Sequence, residues 1–332
     1  MKILNKKDLK TFLKFLDYLN EGIIVVDEFQ NIVYTNKYAR EILSLNEPEG
    51  KHFSEIIKND YLYSIIAHNY EGDRQEEIII DDKKFLVKLY HIDDKKFIHF
   101  TDITPYEIYK QAKKDFVSNV SHELKTPIAV LKGVIETLEA EEDEKNKRKF
   151  LSMALKRINQ MDSLVNDLLI LARLEAQEYK VIKTEIYLKR LVNHIFEDIS
   201  YIAKEKSVKL INNVPDNLKI YGDENKLSIL LKNLVENAVK YNKEKGLVEV
   251  NGYKDREYTV IEVKDTGIGI PSKSLPLIFE RFYRVDKSRS RSVGGTGLGL
   301  SIVKHITEAH NGKIEVESKV NKGTKFKIYI PD

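Results

Sequence analysis

The sequence predicts a multidomain α+β protein built from three parts in series. These are an α/β domain with an antiparallel sheet over residues 1–103, a helical hairpin over 104–178 that forms a dimeric four-helix bundle, and a two-layer α/β sandwich over 179–332. Three observations predict it. Short β-branched and aromatic runs separated by Asp and Asn fill the first part. Apolar residues then recur every three or four positions across two glycine-poor stretches. Strand and helix patterns mix again afterwards, and six of the chain's 15 glycines gather there in two blocks beside element boundaries.

In the first part, Gly22 to Val26, Ile32 to Tyr34, Glu77 to Ile80, Phe85 to Leu89 and Phe97 to Phe100 read as strands. Turn formers separate them, as in Asp27-Glu28-Phe29-Gln30-Asn31 and Asp93-Asp94. The N-terminal MKILNKKDLKTFLKFLDYLN alternates lysines with apolar residues at helical spacing. It lacks the continuous apolar core and small-residue cleavage site of a signal peptide.

In the second part, Val117, Val120, Leu124, Ile128, Leu131, Ile135 and Leu138 form one stripe. Leu151, Ala154, Ile158, Met161, Val165, Leu168 and Ala172 form another, and the acidic, lysine-rich Glu139 to Lys149 separates the two. This is heptad-like periodicity. Two antiparallel helices cannot bury both stripes alone, so a homodimeric bundle is expected. The alternative is a hairpin packed on another part of its own chain.

The third part reads as a helix over Leu188 to Lys206, a strand near Val208 to Asn212, a helix over Glu224 to Tyr241, and strands over Leu247 to Tyr253 and Tyr258 to Asp265. After a Gly- and Arg-rich interval come a helix over Leu300 to His310 and strands over Lys313 to Ser318 and Thr324 to Ile330.

Composition excludes several classes. With 55 Lys+Arg against 52 Asp+Glu the net charge is +3, which is no electrostatic footprint for nucleic acid. The absence of cysteine excludes disulfides, thiolate metal sites and thiol catalysis, and fits a reducing cytoplasm. No apolar run reaches the roughly 18 residues of a membrane span. Two readings follow: a soluble cytoplasmic protein, or a fragment of a membrane receptor.

The first chemical candidate is His122, within Phe116-Val117-Ser118-Asn119-Val120-Ser121-His122-Glu123-Leu124-Lys125-Thr126-Pro127-Ile128. His122 stands two residues from both Val120 and Leu124, about 200° around the helix from each, and so away from the apolar seam. Imidazole is largely neutral and nucleophilic near pH 7. The neighbouring Glu123 can accept the Nδ1 proton and leave Nε2 to attack. Thr126 follows one turn on, and Pro127 should bend or loosen the helix.

Ser121-His122-Glu123-Leu124-Lys125-Thr126-Pro127 resembles, nearly residue for residue, the phosphoacceptor box of histidine kinases with a dimerising helical hairpin. The resemblance implies that His122 is phosphorylated and that Glu123 is its acid–base partner. Thr126 resembles the family position that orients water when the kinase dephosphorylates its partner.

The second set begins with Asn233, Asn237, Lys240 and Tyr241, which share one helix face. Amide oxygens suit a hard cation such as Mg²⁺, and a lysine suits phosphate. Asp265-Thr266-Gly267-Ile268-Gly269-Ile270-Pro271 puts a carboxylate at a strand end, followed by glycines that let a planar ring approach. Gly294-Gly295-Thr296-Gly297-Leu298-Gly299-Leu300 runs into a helix N-terminus, where backbone N–H groups favour anions. It is neither a Walker loop nor a dinucleotide fingerprint.

In this order the blocks resemble the ATP-binding domain shared by histidine kinases, gyrase-type topoisomerases, Hsp90-type chaperones and mismatch-repair ATPases, the GHKL type. The resemblance implies that Asn237 ligates Mg²⁺ with help from Asn233, and that Lys240 meets phosphate. Tyr241 and Ile270 would flank adenine, with Asp265 accepting from its amino group beside Gly267 and Gly269. Gly295, Thr296, Gly297, Leu298 and Gly299 would frame the phosphates. Phe279-Glu280-Arg281-Phe282-Tyr283-Arg284 resembles the family's aromatic box, with Arg284 reaching the nucleotide, and Lys287 to Arg291 would be a lid. Asn233 stands where the gyrase and chaperone branches carry a water-activating glutamate. That favours transfer to a protein over hydrolysis.

The first part resembles a PAS sensor domain through Gly22-Ile23-Ile24-Val25-Val26-Asp27, Tyr34-Thr35-Asn36-Lys37-Tyr38-Ala39 and Thr101-Asp102-Ile103-Thr104. The whole therefore resembles a sensor histidine kinase that uses ATP and Mg²⁺. The implied reaction is phosphorylation of His122, then transfer to an aspartate of a separate response regulator docked on the bundle. The stretch from Glu175 to Thr184 is the expected hinge. Two other readings stand: a switch that mainly dephosphorylates or sequesters the regulator, and an ATP-driven clamp, which the acceptor box disfavours.

Overall fold

The computed structural model describes residues 6–68, 73–175, 181–286 and 295–332. The chain divides into two compact units, Met1–Asp115 and Phe116–Asp332.

In the first unit, helix α1 (Lys6–Leu16) leads to strands β1 (Glu21–Val26) and β2 (Ile32–Thr35). Three short helices follow, α2 (Lys37–Ile42), α3 (Phe53–Ile56) and α4 (Asp60–Ala67), then strands β3 (Arg74–Ile80), β4 (Lys83–Ile92) and β5 (Lys95–Asp102). The five strands form one antiparallel sheet in the order β2-β1-β5-β4-β3. Along β4 and β5 the pleat sends Phe85, Val87, Leu89, Ile98 and Phe100 to the buried face. There they meet Ile24, Phe53, Leu62 and Ile66. The Phe100 ring occupies the space above Gly22, where a Cβ would lie 1.9 Å from it. Asn36 is fully buried, and its side chain accepts from the Ile23 and Ala39 amides and donates to the Leu16 and Glu21 carbonyls. That is a complete set of bonds for a buried amide, and it ties α1, β1 and α2 together.

Helix α5 (Thr104–Ala140) and helix α6 (Glu144–Glu175) form the hairpin. The connection is shorter than the composition of Glu139 to Lys149 suggests. Asp143 accepts from the Lys145 amide at 2.7 Å and the Asn146 amide at 3.0 Å, and this N-cap starts α6 at once. Pro127 stays inside a continuous α5. Leu164 and Leu171 of α6 are buried, whereas Val117, Ile128, Ile135, Leu151, Ile158 and Val165 of the predicted stripes are exposed.

The rest of the second unit holds strand β6 (Thr184–Tyr187), helix α7 (Leu188–Glu205), strands β7 (Lys209–Asn212) and β8 (Lys219–Gly222), and helix α8 (Glu224–Lys240). Strands β9 (Leu247–Asp255) and β10 (Tyr258–Asp265), a 3₁₀ turn at Ser272–Leu277, helix α9 (Gly299–Ala309) and strands β11 (Lys313–Lys319) and β12 (Gly323–Pro331) complete it. The main sheet runs β11-β12-β10-β9-β7, with β7 parallel to β9 and the other pairs antiparallel. Leucines and isoleucines of α7, α8 and α9 pack on Val248, Val250, Ile261, Ile328 and Ile330 of this sheet, giving a two-layer α/β sandwich. The small β6–β8 pair is additional to the predicted strands. Among the described residues, no helix is long and apolar enough to cross a membrane.

Candidate active site

Helix α8 is capped by Asp223, whose Oδ1 accepts from the Lys226 amide at 3.2 Å. Behind the cap, the buried His310 ring accepts the Asp223 N–H on Nε2 at 3.0 Å. Leu227, Leu230, Leu231, Leu234, Val235 and Ala238 face the core. Asn233, Glu236, Asn237 and Lys240 therefore share the half-buried opposite face, as the spacing predicts. Lys240 Nζ donates to Glu236 Oε2 at 2.8 Å, and Asn233 Nδ2 donates to the Ile229 carbonyl at 2.9 Å. Gly299 comes so near that a Cβ there would lie 2.5 Å from Asn233 Oδ1. The first turn of α9 thus lies against the amide face of α8.

Asp265 ends β10, and both its backbone donors land on one oxygen. Oδ1 accepts from the Gly267 amide at 2.7 Å and the Thr324 amide at 3.2 Å. Among the described residues Oδ2 accepts no hydrogen bond. Burial outweighs these two bonds and pushes the carboxyl up to about 6. The glycines that follow allow close backbone approach. A Cβ at Gly267 would lie 2.3 Å from the Tyr241 carbonyl oxygen, and one at Gly269, where φ is +69°, would lie 2.2 Å from that of Lys319. The Ile268 amide donates to the Tyr241 carbonyl at 3.1 Å and the Ile270 amide to Ser318 Oγ at 2.8 Å. Tyr241, Asp265 and Ile270 are thereby stitched into one wall.

The glycine block closes the site. Gly297, at φ +75°, accepts the Phe282 N–H at 2.9 Å and leaves no room for a Cβ over the Phe282 backbone. A Cβ at Gly295 would lie 3.4 Å from the Tyr241 hydroxyl and 3.8 Å from Arg284 Nη2. Tyr241, Arg284 and Gly295 therefore converge. Thr296 Oγ1 donates to Asp167 Oδ2 on α6 at 2.7 Å and accepts from the Leu298 amide at 3.2 Å. Burial holds the Asp167 carboxyl above the usual aspartate range, against the opposing Thr296 bond.

The hairpin meets the aromatic box. Phe116 packs on Phe282 with ring centroids 5.8 Å apart, and the Arg281 guanidinium lies 5.4 Å above the Phe116 ring. Arg284 Nη1 lies 3.8 Å from Glu123 Oε2, and its buried Nε has no hydrogen-bond partner among the described residues. His122 itself is exposed, and its ring makes no hydrogen bond among the described residues. Thr126 Oγ1 turns back to donate to the His122 carbonyl at 3.2 Å.

The structure thus gathers Asn233, Asn237, Lys240, Tyr241, Asp265, Gly267, Gly269, Ile270, Arg284, Gly295, Thr296, Gly297, Leu298 and Gly299 around α8, the end of β10 and the start of α9. It keeps His122, Glu123 and Thr126 on α5. The expected lid from Lys287 to Arg291 and Gly294 lie outside the described residues, as do residues 176–180 of the expected hinge. Asp167 was missed. Its signal is its place three residues after Leu164 and four before Leu171, a carboxylate on a buried helix face. Among the described residues, no group of three or more His, Cys, Asp or Glu could hold a metal ion. A divalent cation would depend on the amide oxygens of Asn237 and Asn233 together with oxygens of its ligand, a donor set that fits Mg²⁺.

Comparison with known proteins places these two halves. Residues 112–177 match the family model of the His Kinase A (phospho-acceptor) domain. Residues 222–332 match that of the histidine kinase-, DNA gyrase B-, and HSP90-like ATPases. The chain is 33% identical over 320 residues to the phosphate regulon sensor protein PhoR of Pseudomonas aeruginosa, covering 94% of this chain and 72% of that one. It is 32% identical over 331 residues to the sensor histidine kinase WalK of Bacillus subtilis, covering 95% of this chain and 54% of that one. Among solved structures, histidine kinase ThkA in complex with the response regulator protein TrrA aligns over 96% of this chain and 97% of its own, with a TM-score of 0.55 at 19% identity. Acinetobacter baumannii histidine kinase AdeS aligns over 63% of this chain and 97% of its own, with a TM-score of 0.53 at 22% identity. At these identities both structures speak to the fold alone.

Proposed function

The chain belongs to the sensor histidine kinases of two-component systems, and from that premise we propose that it moves the γ-phosphoryl group of ATP onto Nε2 of His122 and then to an aspartate of a separate response regulator. The observation that carries this reading is the approach of Arg284 to Glu123. It joins the nucleotide half of the molecule to the residue next to the acceptor.

Adenine lies between Tyr241 and Ile270, and Asp265 Oδ2 accepts from its amino group. The N–H groups of Gly295 to Gly299 and the positive end of α9 meet the phosphates, with Lys240 and Arg284 as cations. Asn237, assisted by Asn233, would hold Mg²⁺, which when bound would supply charge neutralisation for the phosphates. Nε2 of His122 attacks the γ-phosphorus in line. A P–N bond forms, the bond to the β,γ-bridging oxygen breaks, ADP leaves, and Glu123 takes the Nδ1 proton. As for other phosphoryl transfers, the protein contributes mainly position and charge.

We assign residues 1–103 to a PAS-like sensor domain, 104–178 to the dimerising phosphoacceptor hairpin and 179–332 to the GHKL-type catalytic domain. The strand order β2-β1-β5-β4-β3 with short helices after β2 supports the first assignment. Exposed Ile135 and Leu151, at 53% and 52%, support a homodimer that covers the seam. Use of ATP supports a cytoplasmic location for these residues. The likeness to sensor histidine kinases supports a response regulator as partner, which we place on the bundle.

Incubation with γ-labelled ATP and Mg²⁺ tests the reading. Label that is acid-labile, alkali-stable and absent from His122→Gln is expected. Absence of label in a wild-type chain that binds ADP would overturn it. The exposed Thr126, one turn from His122, favours a second activity, dephosphorylation of the regulator. That activity should survive in His122→Ala and fail in Thr126→Ala.

A further inference from the structure

Lys240, assigned above to phosphate, already has its charge met within α8. Its Nζ donates to Glu236 Oε2 at 2.8 Å, one helical turn back, and both side chains are 25% exposed. Asn233, Glu236, Asn237 and Lys240 span only about 100° of the helix circumference. Glu236 is thus a carboxylate on the face read here as taking a cation and a chain of phosphates. It has no step in the transfer chemistry.

We propose that Glu236 is a specificity-determining residue that makes the site select the Mg²⁺ complex of the nucleotide over the metal-free form. The proposal rests on the assignment of Lys240 to phosphate and of Asn237 to Mg²⁺.

The argument is one of charge and place. Asn233 and Asn237 are neutral, so with Glu236 beside Lys240 this face of α8 carries no net positive charge. Metal-free phosphates gain little by approaching it, and a carboxylate there repels them. A divalent cation that arrives with the phosphates removes most of that repulsion. Glu236 directly precedes Asn237 in the chain, and the first turn of α9 comes within 2.5 Å of Asn233 Oδ1, measured from a Cβ placed at Gly299. Phosphates held between the start of α9 and Asn237 therefore pass beside Glu236. The helix does not depend on the pair. Asp223 caps α8, and Leu227, Leu230, Leu231 and Leu234 bury its other face, whereas an ion pair four residues apart adds only slightly to a helix.

Metal-free ADP carries about three negative charges and its Mg²⁺ complex about one, so a fixed carboxylate repels the first about three times as strongly. Glu236→Gln keeps the size of the side chain and an acceptor oxygen for Lys240, and removes the charge. In the full chain with excess chelator, ADP should bind the variant about eightfold more tightly than wild type, against about twofold with saturating Mg²⁺. The factor by which Mg²⁺ tightens ADP binding should accordingly fall about fourfold. Adenosine, which carries neither phosphate nor metal, should bind both proteins alike. The gain for metal-free ADP should shrink as ionic strength rises, because screening acts on the repulsion.

Unchanged binding of metal-free ADP in Glu236→Gln would leave a helix-stabilising ion pair and overturn the proposal. Equal tightening of metal-free and Mg²⁺-bound ADP, or of ADP and adenosine, would do the same. Weaker binding of the Mg²⁺ complex would also overturn it, by making Glu236 a ligand of the cation. Lys240→Met tests the underlying assignment separately. It should weaken metal-free ADP and leave adenosine unchanged, and if ADP binding is untouched there, the assignment of Lys240 to phosphate fails first.

Discussion

Arg284 Nη1 lies 3.8 Å from Glu123 Oε2, so the residue after His122 meets a guanidinium of the proposed nucleotide site. Sequence separates the two by more than a hundred and fifty positions. Leu164, Leu171 and Phe116 bring them together by packing the hairpin on α9 and the aromatic box. The proposed reaction needs that encounter, and the observed contact uses the same two charges.

If Glu123 takes the Nδ1 proton of His122, Glu123→Gln should slow autophosphorylation by about 10²- to 10⁴-fold, the usual contribution of a positioned acid–base group. ADP affinity should be preserved or increased, because the substitution also frees Arg284. Single-turnover labelling beside equilibrium ADP binding checks both expectations. Parallel loss of binding and rate would assign Glu123 to structure alone.

The Asp265 carboxyl gives opposite pH dependences to stability and to binding. Its folded value of about 6 lies above the ordinary 3.8, so the ligand-free fold prefers the protonated form. The corresponding stabilisation is whole below about pH 3.8 and is lost as pH rises through about 6. A shift of this size corresponds to at most about 3 kcal/mol. Wild type minus Asp265→Asn, followed by denaturant titration from pH 4 to 7, should show that loss. The proposed contact to the adenine amino group is stronger with the ionised carboxylate as acceptor, so wild-type ADP affinity should fall as pH drops through about 6. It should be weak and flat across the same range in Asp265→Asn.

Gly269 combines a left-handed φ of +69° with a Cβ position 2.2 Å from the Lys319 carbonyl oxygen. Gly269→Ala must distort the wall that carries Ile270. The left-handed conformation alone costs an L-residue about 1–2 kcal/mol, and the overlap adds to it. Thermal unfolding should show a loss of at least about 2 kcal/mol, with weaker ADP binding. Gly133, where a Cβ would meet nothing within 4 Å, is the control expected to tolerate alanine.

The exposed stripe of the hairpin predicts the assembly. Ile135 is 53% exposed and Leu151 52% in one chain. Burying a side chain of this kind is worth about 1.5–3 kcal/mol, twice over in a symmetric dimer. Ile135→Glu should raise the dimer dissociation constant more than about 100-fold. Light scattering across a dilution series reads the change. A wild-type chain that stays monomeric at micromolar concentration would contradict the dimer.

Much of this architecture was legible because periodicity reports burial directly. The three- and four-residue spacing marked both hairpin helices and left His122 off the seam, where it is exposed. Alternation along Tyr258 to Asp265 marked a sheet strand and put Asp265 at its end. The four-residue strands β6 and β8 escaped because they pair only with each other, too briefly for a period to emerge. The hairpin turn was read too long because charge looks like loop composition, whereas the Asp143 cap lets charged residues start a helix. Asp167 escaped for a different reason. Local pattern placed it on a helix, and only tertiary packing of α6 on α9 gives its carboxylate a threonine to hold.

The most direct measurement is peptide mapping of the phosphorylated wild-type chain at neutral to alkaline pH, where phosphohistidine survives. After incubation with ATP and Mg²⁺, phosphate should be found on His122 in the peptide that carries Ser121 to Thr126, and it should leave that peptide when a cognate response regulator is added. Phosphate on another residue, with the His122 peptide unmodified, would contradict the account.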